Sequence, residues 1–189
     1  SQDGLFDESM MGRNKRIIKE GRTCSYLLHR GEPELRITQN DIRAIQLAKA
    51  ALYAGIRLLM DHLGIEEVQR IRLAGAFGSH IDVKYAMILG LIPDCDLDHV
   101  SSAGNAAGTG ARMALLNHES RREIEETVRK IEKVETAVEP AFQQHFVDAM
   151  AIPHKHANST HLQKTVSLPE AKNNAQGNGD STSRRRRSK

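Results

Sequence analysis

Ile71 to Pro93, IRLAGAFGSHIDVKYAMILGLIP, constrains the fold more than any other stretch of the chain. Ile71–Arg72–Leu73–Ala74 is a short apolar run of the kind that forms a buried strand, and it breaks at Gly75-Ala76-Phe77-Gly78. A helical pattern then runs from Asp82 to Leu89, with Gly90 at the expected C-cap and Pro93 stopping continuation. Strand, glycine turn and helix together bring bare backbone N–H groups close to a ligand and aim a helix start at it. A second small-residue turn, Gly104-Asn105-Ala106-Ala107-Gly108-Thr109-Gly110-Ala111, follows another short apolar segment. Two such elements in one small domain point to a nucleotide site more strongly than either does by itself.

A length of 189 residues fits one domain with a real core. The net charge of +3 is unevenly spread. Arg184–Arg187 with Lys155, Lys164, Lys172 and Lys189 outweigh Glu170 and Asp180, so residues 154–189 carry +6 and residues 1–153 carry −3. Nucleic-acid binding by an acidic body is therefore not expected, since phosphate contacts need clustered Lys and Arg. Cys24 and Cys95 have neither metal nor redox spacing and are too few for an iron–sulfur cluster, which fits a reducing, cytoplasmic compartment. No apolar run approaches a membrane span, and the N-terminus has no basic region leading into an apolar one. It also lacks Met, which suggests a start inside a longer protein.

Three segments divide the chain: strands and turns over 1–37, a nucleotide-binding subdomain over 38–153, and a disordered basic tail over 154–189. Turns are expected at Gly4–Asp7 and Met10–Arg13. Cys24–His29 and Glu34–Ile37 read as strands flanking a turn at Gly31-Glu32-Pro33. Thr38 and Asp41 have capping-box spacing, and the helix behind them should stop at Gly64. Its apolar face is expected to be Ile42, Ile45, Ala48, Leu52, Ile56, Leu59 and Leu63, with Gln39, Arg43, Gln46 and Lys49 on a solvated face. Ala103 to Leu116 reads as a helix poor in side chain, and Arg121 to Lys133 as a charged helix with an Ile124–Val128–Ile131 seam. Val134–Val138 alternates like an edge strand. A last helix from Pro140 to Met150 should bury Phe142, Phe146, Val147 and Met150 before Pro153 closes the domain.

Gly75 and Gly78 would let backbone N–H groups face a phosphate or ribose, with Ser79 capping the next helix. Gly78 is expected where positive φ or close approach is needed, and the other reading of these glycines is a tight strand-to-helix turn packed on a neighbour. There is no Gly-Lys-Ser/Thr, and the second turn is spaced GxxxGxG, so neither a Walker loop nor the dinucleotide fingerprint is present. His154 and His156 lack a spaced partner for a metal, and no G-x-S-x-G occurs. No catalytic residue is assigned.

LAGAFGSHIDVKYAMILGLIP and GNAAGTGARMALL, with TQNDIRAIQLAKAALYAGIRLLM before them and FVDAMAIP after, resemble the C-terminal part of the ATP-dependent reductive activators of corrinoid proteins. The resemblance covers residues 1–153 and implies an α/β fold, one ribonuclease H-like half of an acetate kinase/Hsp70/actin-type ATPase domain. It implies a protein that uses ATP and Mg²⁺ to drive reduction of a partner corrinoid protein from Co(II) to Co(I), the electrons arriving through a 2Fe–2S domain. Gly75, Ala76, Phe77, Gly78 and Ser79 match the adenosine motif; Gly104 and Asn105 open the second connecting motif; Gln39, Arg43 and Lys49 lie where relatives set polar groups beside adenine. The cysteine cluster and the Asp-x-Gly-Thr hairpin that holds Mg²⁺ have no counterpart in this sequence. Both belong outside this chain, and the implied partners are a corrinoid protein and either the N-terminal half or a second copy. The other reading is a catalytically inactive interaction or regulatory module of the same fold.

Overall fold

The computed structural model describes residues 13–136, 138–157 and 159–168. The turn at Gly4–Asp7, nearly all of that at Met10–Arg13, and Arg184–Arg187 lie outside the described residues. The order is β1 (Ile17–Glu20), β2 (Thr23–His29), β3 (Leu35–Thr38), α1 (Gln39–Leu63), β4 (Ile71–Ala74), α2 (Gly75–His80), α3 (Val83–Leu89), β5 (Val100–Gly104), α4 (Ala106–Leu116), α5 (His118–Val128), α6 (Pro140–Ala149) and α7 (Thr160–Thr165). β1, β2 and β3 form an antiparallel sheet in that order, and β4 and β5 form a parallel pair.

α1 is set at both ends by its own residues. Thr38 Oγ1 accepts from Asp41 N, Asp41 accepts in return from Thr38 N, and Gly64 takes the left-handed C-cap with φ of 65°. The face it buries differs from the expected one. Ala50, Ala54 and Leu58 are buried, whereas Leu52 is 46 % and Leu59 50 % exposed. Gln46 and Lys49, expected in solvent, are 2 % and 0 % exposed. The reason is α6, which packs along α1 and ends against it. Gln46 Nε2 donates to Met150 O at 3.0 Å and Lys49 Nζ to Ala149 O at 2.5 Å, so two polar side chains of one helix satisfy the last carbonyls of another.

The apolar cluster lies elsewhere: Ala86, Met87, Ile92, Cys95, Val100 and Leu162, flanked by Ile71 and Leu73 of β4. Leu162 belongs to α7, so residues 154–168, expected to begin the disordered tail, include a helix that completes the core. Asp94 makes that possible, accepting from the backbone N–H of His161 at 2.7 Å and of Leu162 at 3.0 Å. Asp94→Ala should therefore free α7 at a cost of about 2 kcal/mol. Proteolysis within 154–168 during native-state digestion would show it; unchanged resistance would mean that Leu162 holds α7 unaided.

Other expectations need correction. The described residues of the 134–138 segment do not form a strand: Val138 N bonds to Glu135 O in a turn, and they pair with no edge. The charged helix spans His118–Val128 rather than continuing to Lys133, and its seam at Ile124, Val128 and Ile131 faces solvent. α6 buries Ala149, while Val147 is exposed. β1 was not expected, being half polar; the Glu20–Thr23 turn, with Gly21 at φ of 62°, folds it onto β2.

Candidate nucleotide site at the paired glycine bends

β4 and β5 run parallel with Ile71 opposite Val100 and Ala74 opposite Gly104. Their register places both bends at one edge of the sheet, beyond the carboxyl ends of the strands, where open α/β sheets bind ligands. The pairing slips between Leu73 and Ala74, so the chain begins to turn as it leaves the sheet.

The glycines there do different work. Gly75 has φ of 94° and Gly104 φ of 60°, with no atom within 4 Å of where a Cβ would sit. Glycine is required at both by backbone conformation, and the space in front of each is open. Gly78 follows the packed-turn reading rather than the positive-φ one. It lies inside α2 without a left-handed φ, and a Cβ would sit 2.9 Å from Leu73 C and 2.9 Å from Leu73 Cβ. The close approach there is to the protein's own strand.

Gly75 to Ser79 forms α2 rather than an extended turn, and Asp82 rather than Ser79 caps the following helix, its carboxylate accepting from Tyr85 N at 3.1 Å. Ser79 Oγ instead donates to Gly75 O at 2.9 Å. Ala74, at the start of α2, provides no side-chain cap. Asn105 caps α4 by accepting from Gly108 N at 2.9 Å. Phe77 projects from α2 with 69 % of its surface exposed. The arrangement is an exposed shelf of backbone and small side chains with one aromatic ring on it. It can present amides and a flat ring to a ligand, and His80 at the end of α2 is the ionisable side chain of that helix.

Of the three candidates on α1, Lys49 and Arg43 make hydrogen bonds to groups outside that shelf. Lys49 turns its amine to the end of α6, beside Gly90, and burial lowers its pKa to about 8. Arg43 reaches Gln46 Oε1 at 3.4 Å. Gln39 lies at the first position of α1.

A feature the sequence did not disclose is a cavity of about 510 Å³ away from the bends, lined by Tyr53, Arg57, His145, Asp148, His154 and His161 among others. Several of its polar side chains are held by neighbours within or beside it. His145 Nε2 lies 2.7 Å from Asp61 Oδ2, and Arg57 pairs with the other oxygen of Asp61 at 2.7 Å. His154 Nδ1 accepts from His156 N and Ala157 N while its ring lies 4.6 Å from that of Tyr53; burial, then the nearby Lys49, lowers its pKa to about 4. Among the described residues no group of three or more His, Cys, Asp or Glu is placed to hold a metal ion, and no helix is long and apolar enough to cross a membrane.

Comparison with known proteins connects this geometry to a family. The family model described as the C-terminal domain of RACo, the ASKHA domain, matches residues 1–163. Corrinoid activation enzyme RamQ of Eubacterium limosum is 43 % identical over 111 residues, covering 58 % of this chain and 19 % of that protein. A solved structure, a reductive activator for corrinoid, iron-sulfur protein, superposes with a TM-score of 0.70 at 32 % identity, covering 82 % of this chain and 26 % of that one. The chain thus spans about a fifth to a quarter of the length of these relatives. With the mixed α/β fold and the family match in agreement, the chain belongs to the family of the C-terminal ASKHA domain of the RACo-type activators.

Proposed function

We propose that this chain is the nucleotide-binding C-terminal portion of an ATP-driven reductive activator of a corrinoid protein. The observation that carries the reading is the pairing of Ala74 with Gly104, which sets two open, left-handed glycine bends side by side at the carboxyl edge of β4 and β5. The shelf fits the nucleoside end of ATP: Gly75 and Gly104 leave room for close approach, and Phe77 offers an aromatic face. It supplies no carboxylate for Mg²⁺, so Mg²⁺ ligands and the phosphate-positioning groups belong to the remainder of the longer activator. Cys24 and Cys95, one partly and one fully buried, provide no ligand set for a 2Fe–2S cluster, which on this reading also sits outside the chain.

In the complete protein, bound ATP would supply the free energy for an uphill reduction of Co(II) to Co(I) on the partner. The part assigned to this chain is to bind and orient the nucleotide, and to let α4 move with the opposing half about the Gly104–Gly110 segment. Gly110 lies within α4 and Gly104 two residues before it, both with open space around a Cβ position. Amide hydrogen exchange on the complete activator tests the site. A non-hydrolysable ATP analogue should slow exchange over 75–80 and 104–108 by tenfold or more. Protection confined to the cavity around His154, with none at the bends, would sink the assignment.

One observation supports a second reading, an interaction module that has lost the ATPase. None of the residues of α4 is buried, and Met113, Leu115 and Leu116 face solvent. A partner docked there independently of nucleotide would favour it, whereas nucleotide-dependent docking favours the first reading.

A further inference from the structure

The cavity beside His154 is walled chiefly by α1, α6 and the segment 154–161 that leads into α7. Its charge is lopsided. Glu66, Glu67, Asp94 and Asp148 line it, and the one permanent cation of its lining is Arg57, which already pairs with Asp61 at 2.7 Å. His154 adds no positive charge, because its Nδ1 accepts from two backbone N–H groups and an accepting nitrogen carries no proton. Asp94 is engaged by the N–H groups of His161 and Leu162, and Asp148 accepts from the neutral amide of Gln144. Among the described residues no ion pair neutralises Glu66, Glu67 or Asp148. A space of about 510 Å³ with those carboxylates and the Tyr53 ring in its wall fits a guanidinium, which forks onto a carboxylate and lies on an aromatic face.

We propose that the occupant is this chain's own Arg184–Arg187, docked through its guanidinium groups on Glu66, Glu67 and Asp148. The path of the chain brings the run to this place. Val166 and Leu168 pack on the apolar cluster, and Leu168 lines an annex of about 70 Å³ that shares Tyr53, Asp94, His154 and Ala157 with the cavity. The last described residue thus lies at the cavity's edge. Arg184 follows it by sixteen residues, a contour of at most about 55 Å. A group tethered this close binds as an intramolecular ligand, ahead of any untethered cation of equal chemistry. Charge then chooses among the acceptors within reach. The other run of carboxylates, Glu119, Glu123, Glu125 and Glu126 of α5, has Arg121 and Arg122 set among them, so its field is largely cancelled by its own helix. The cavity offers carboxylates without that cancellation, and a run of four arginines is the strongest positive charge in the sequence. The contact is independent of the nucleotide shelf and goes beyond it.

Paramagnetic broadening in NMR spectra of the full chain tests the proposal. A nitroxide is attached at Ser188→Cys in a Cys24→Ser background; Cys95 is 1 % exposed and stays unlabelled. It should erase the imidazole signals of His156 and His161, in the cavity wall, and leave that of His118, at the start of α5, sharp. Glu66→Gln/Glu67→Gln/Asp148→Asn should restore the two lost signals with Tm unchanged. Sodium chloride at about 1 M should restore them as well, because it shortens the screening length to about 3 Å. Replacing all four arginines by serine, with the cavity untouched, should shift the His156 signals in the unlabelled chain. Equal broadening at His118, a loss of signal that survives the triple substitution, or His156 signals indifferent to the four arginines would each overturn it. So would a complete activator in which the nitroxide spares His156 and His161, because another part of the longer polypeptide would then fill the cavity.

Discussion

Gly78→Val is expected to cost about 3 kcal/mol of stability, a large share of the 5–15 kcal/mol typical of a domain. α2 lies so close on the end of β4 that even a methyl group would meet Leu73 C and Leu73 Cβ at 2.9 Å. Neither atom is the free end of a flexible side chain, so relief requires α2 to lift from the strand. Valine adds two further carbons and a helix-disfavouring branch. Gly75→Ala provides the contrast. Its Cβ would enter open space, and only the left-handed φ of 94° opposes it, a cost of about 1 kcal/mol. Urea unfolding should therefore show a much lower midpoint for Gly78→Val and a slightly lower one for Gly75→Ala. If Gly78→Val unfolds at the wild-type midpoint, α2 does not lie on β4 as described. The contrast also governs how nucleotide binding is read. Lost affinity in Gly78→Val would report a displaced helix, whereas lost affinity in a folded Gly75→Ala would report the shelf itself.

What could be read from the sequence was what is encoded locally. The capping box at Thr38–Asp41, the glycine stop at Gly64, the strand at Ile71–Ala74, the stop at Gly90 and the strands around Pro33 all depend on residues within one turn of each other, and all are present. The two small-residue bends were each legible as bends, and the pairing of β4 with β5 brings them to one edge of the sheet. What failed was decided by contacts distant in sequence. Gln46 and Lys49 look like solvent residues until α6, a hundred positions later, ends against them. Gly78 left a ligand contact and a turn packed on a neighbour both open, because a glycine does not disclose which neighbour needs the room; the neighbour is Leu73. α7 resembled tail because one leucine and two backbone bonds to Asp94 hold it, and neither has a local signature. The apolar face of α1 was read correctly as apolar and wrongly as facing the core; the wide apolar arc gave no means of choosing which part would turn inward.

Raising the pH from 8 to 10 is expected to stabilise the domain, and Lys49 is the reason. Its ammonium is fully buried with Ala149 O as its acceptor and no carboxylate among the contacts described. The C-terminal end of α6, with that of α3 at Gly90 beside it, offsets part of the burial through the helix dipoles. Burial still brings the folded pKa from 10.5 down to about 8. Between those values the unfolded chain binds the extra proton, so stability rises with pH across this window and is lost again as pH falls toward 8. The full span is at most about 3 kcal/mol at 1.36 kcal/mol per pH unit. Above 10 the effect is opposed by Tyr53, whose phenol is held above its usual range chiefly by burial, so the clean window ends there. Lys49→Met should flatten the rise. It should also be at least as stable as wild type at pH 7, because the loss of one hydrogen bond, about 1 kcal/mol, is smaller than the removed penalty. His154 supplies an independent reading of the same geometry. Its pKa near 4 owes most to burial and next to Lys49, so Lys49→Met should move the His154 titration upward, visible in the imidazole carbon shifts by NMR. A wild-type Lys49 titrating near 10.5 would show its amine in water, and would remove the contact on which α6 closes against α1.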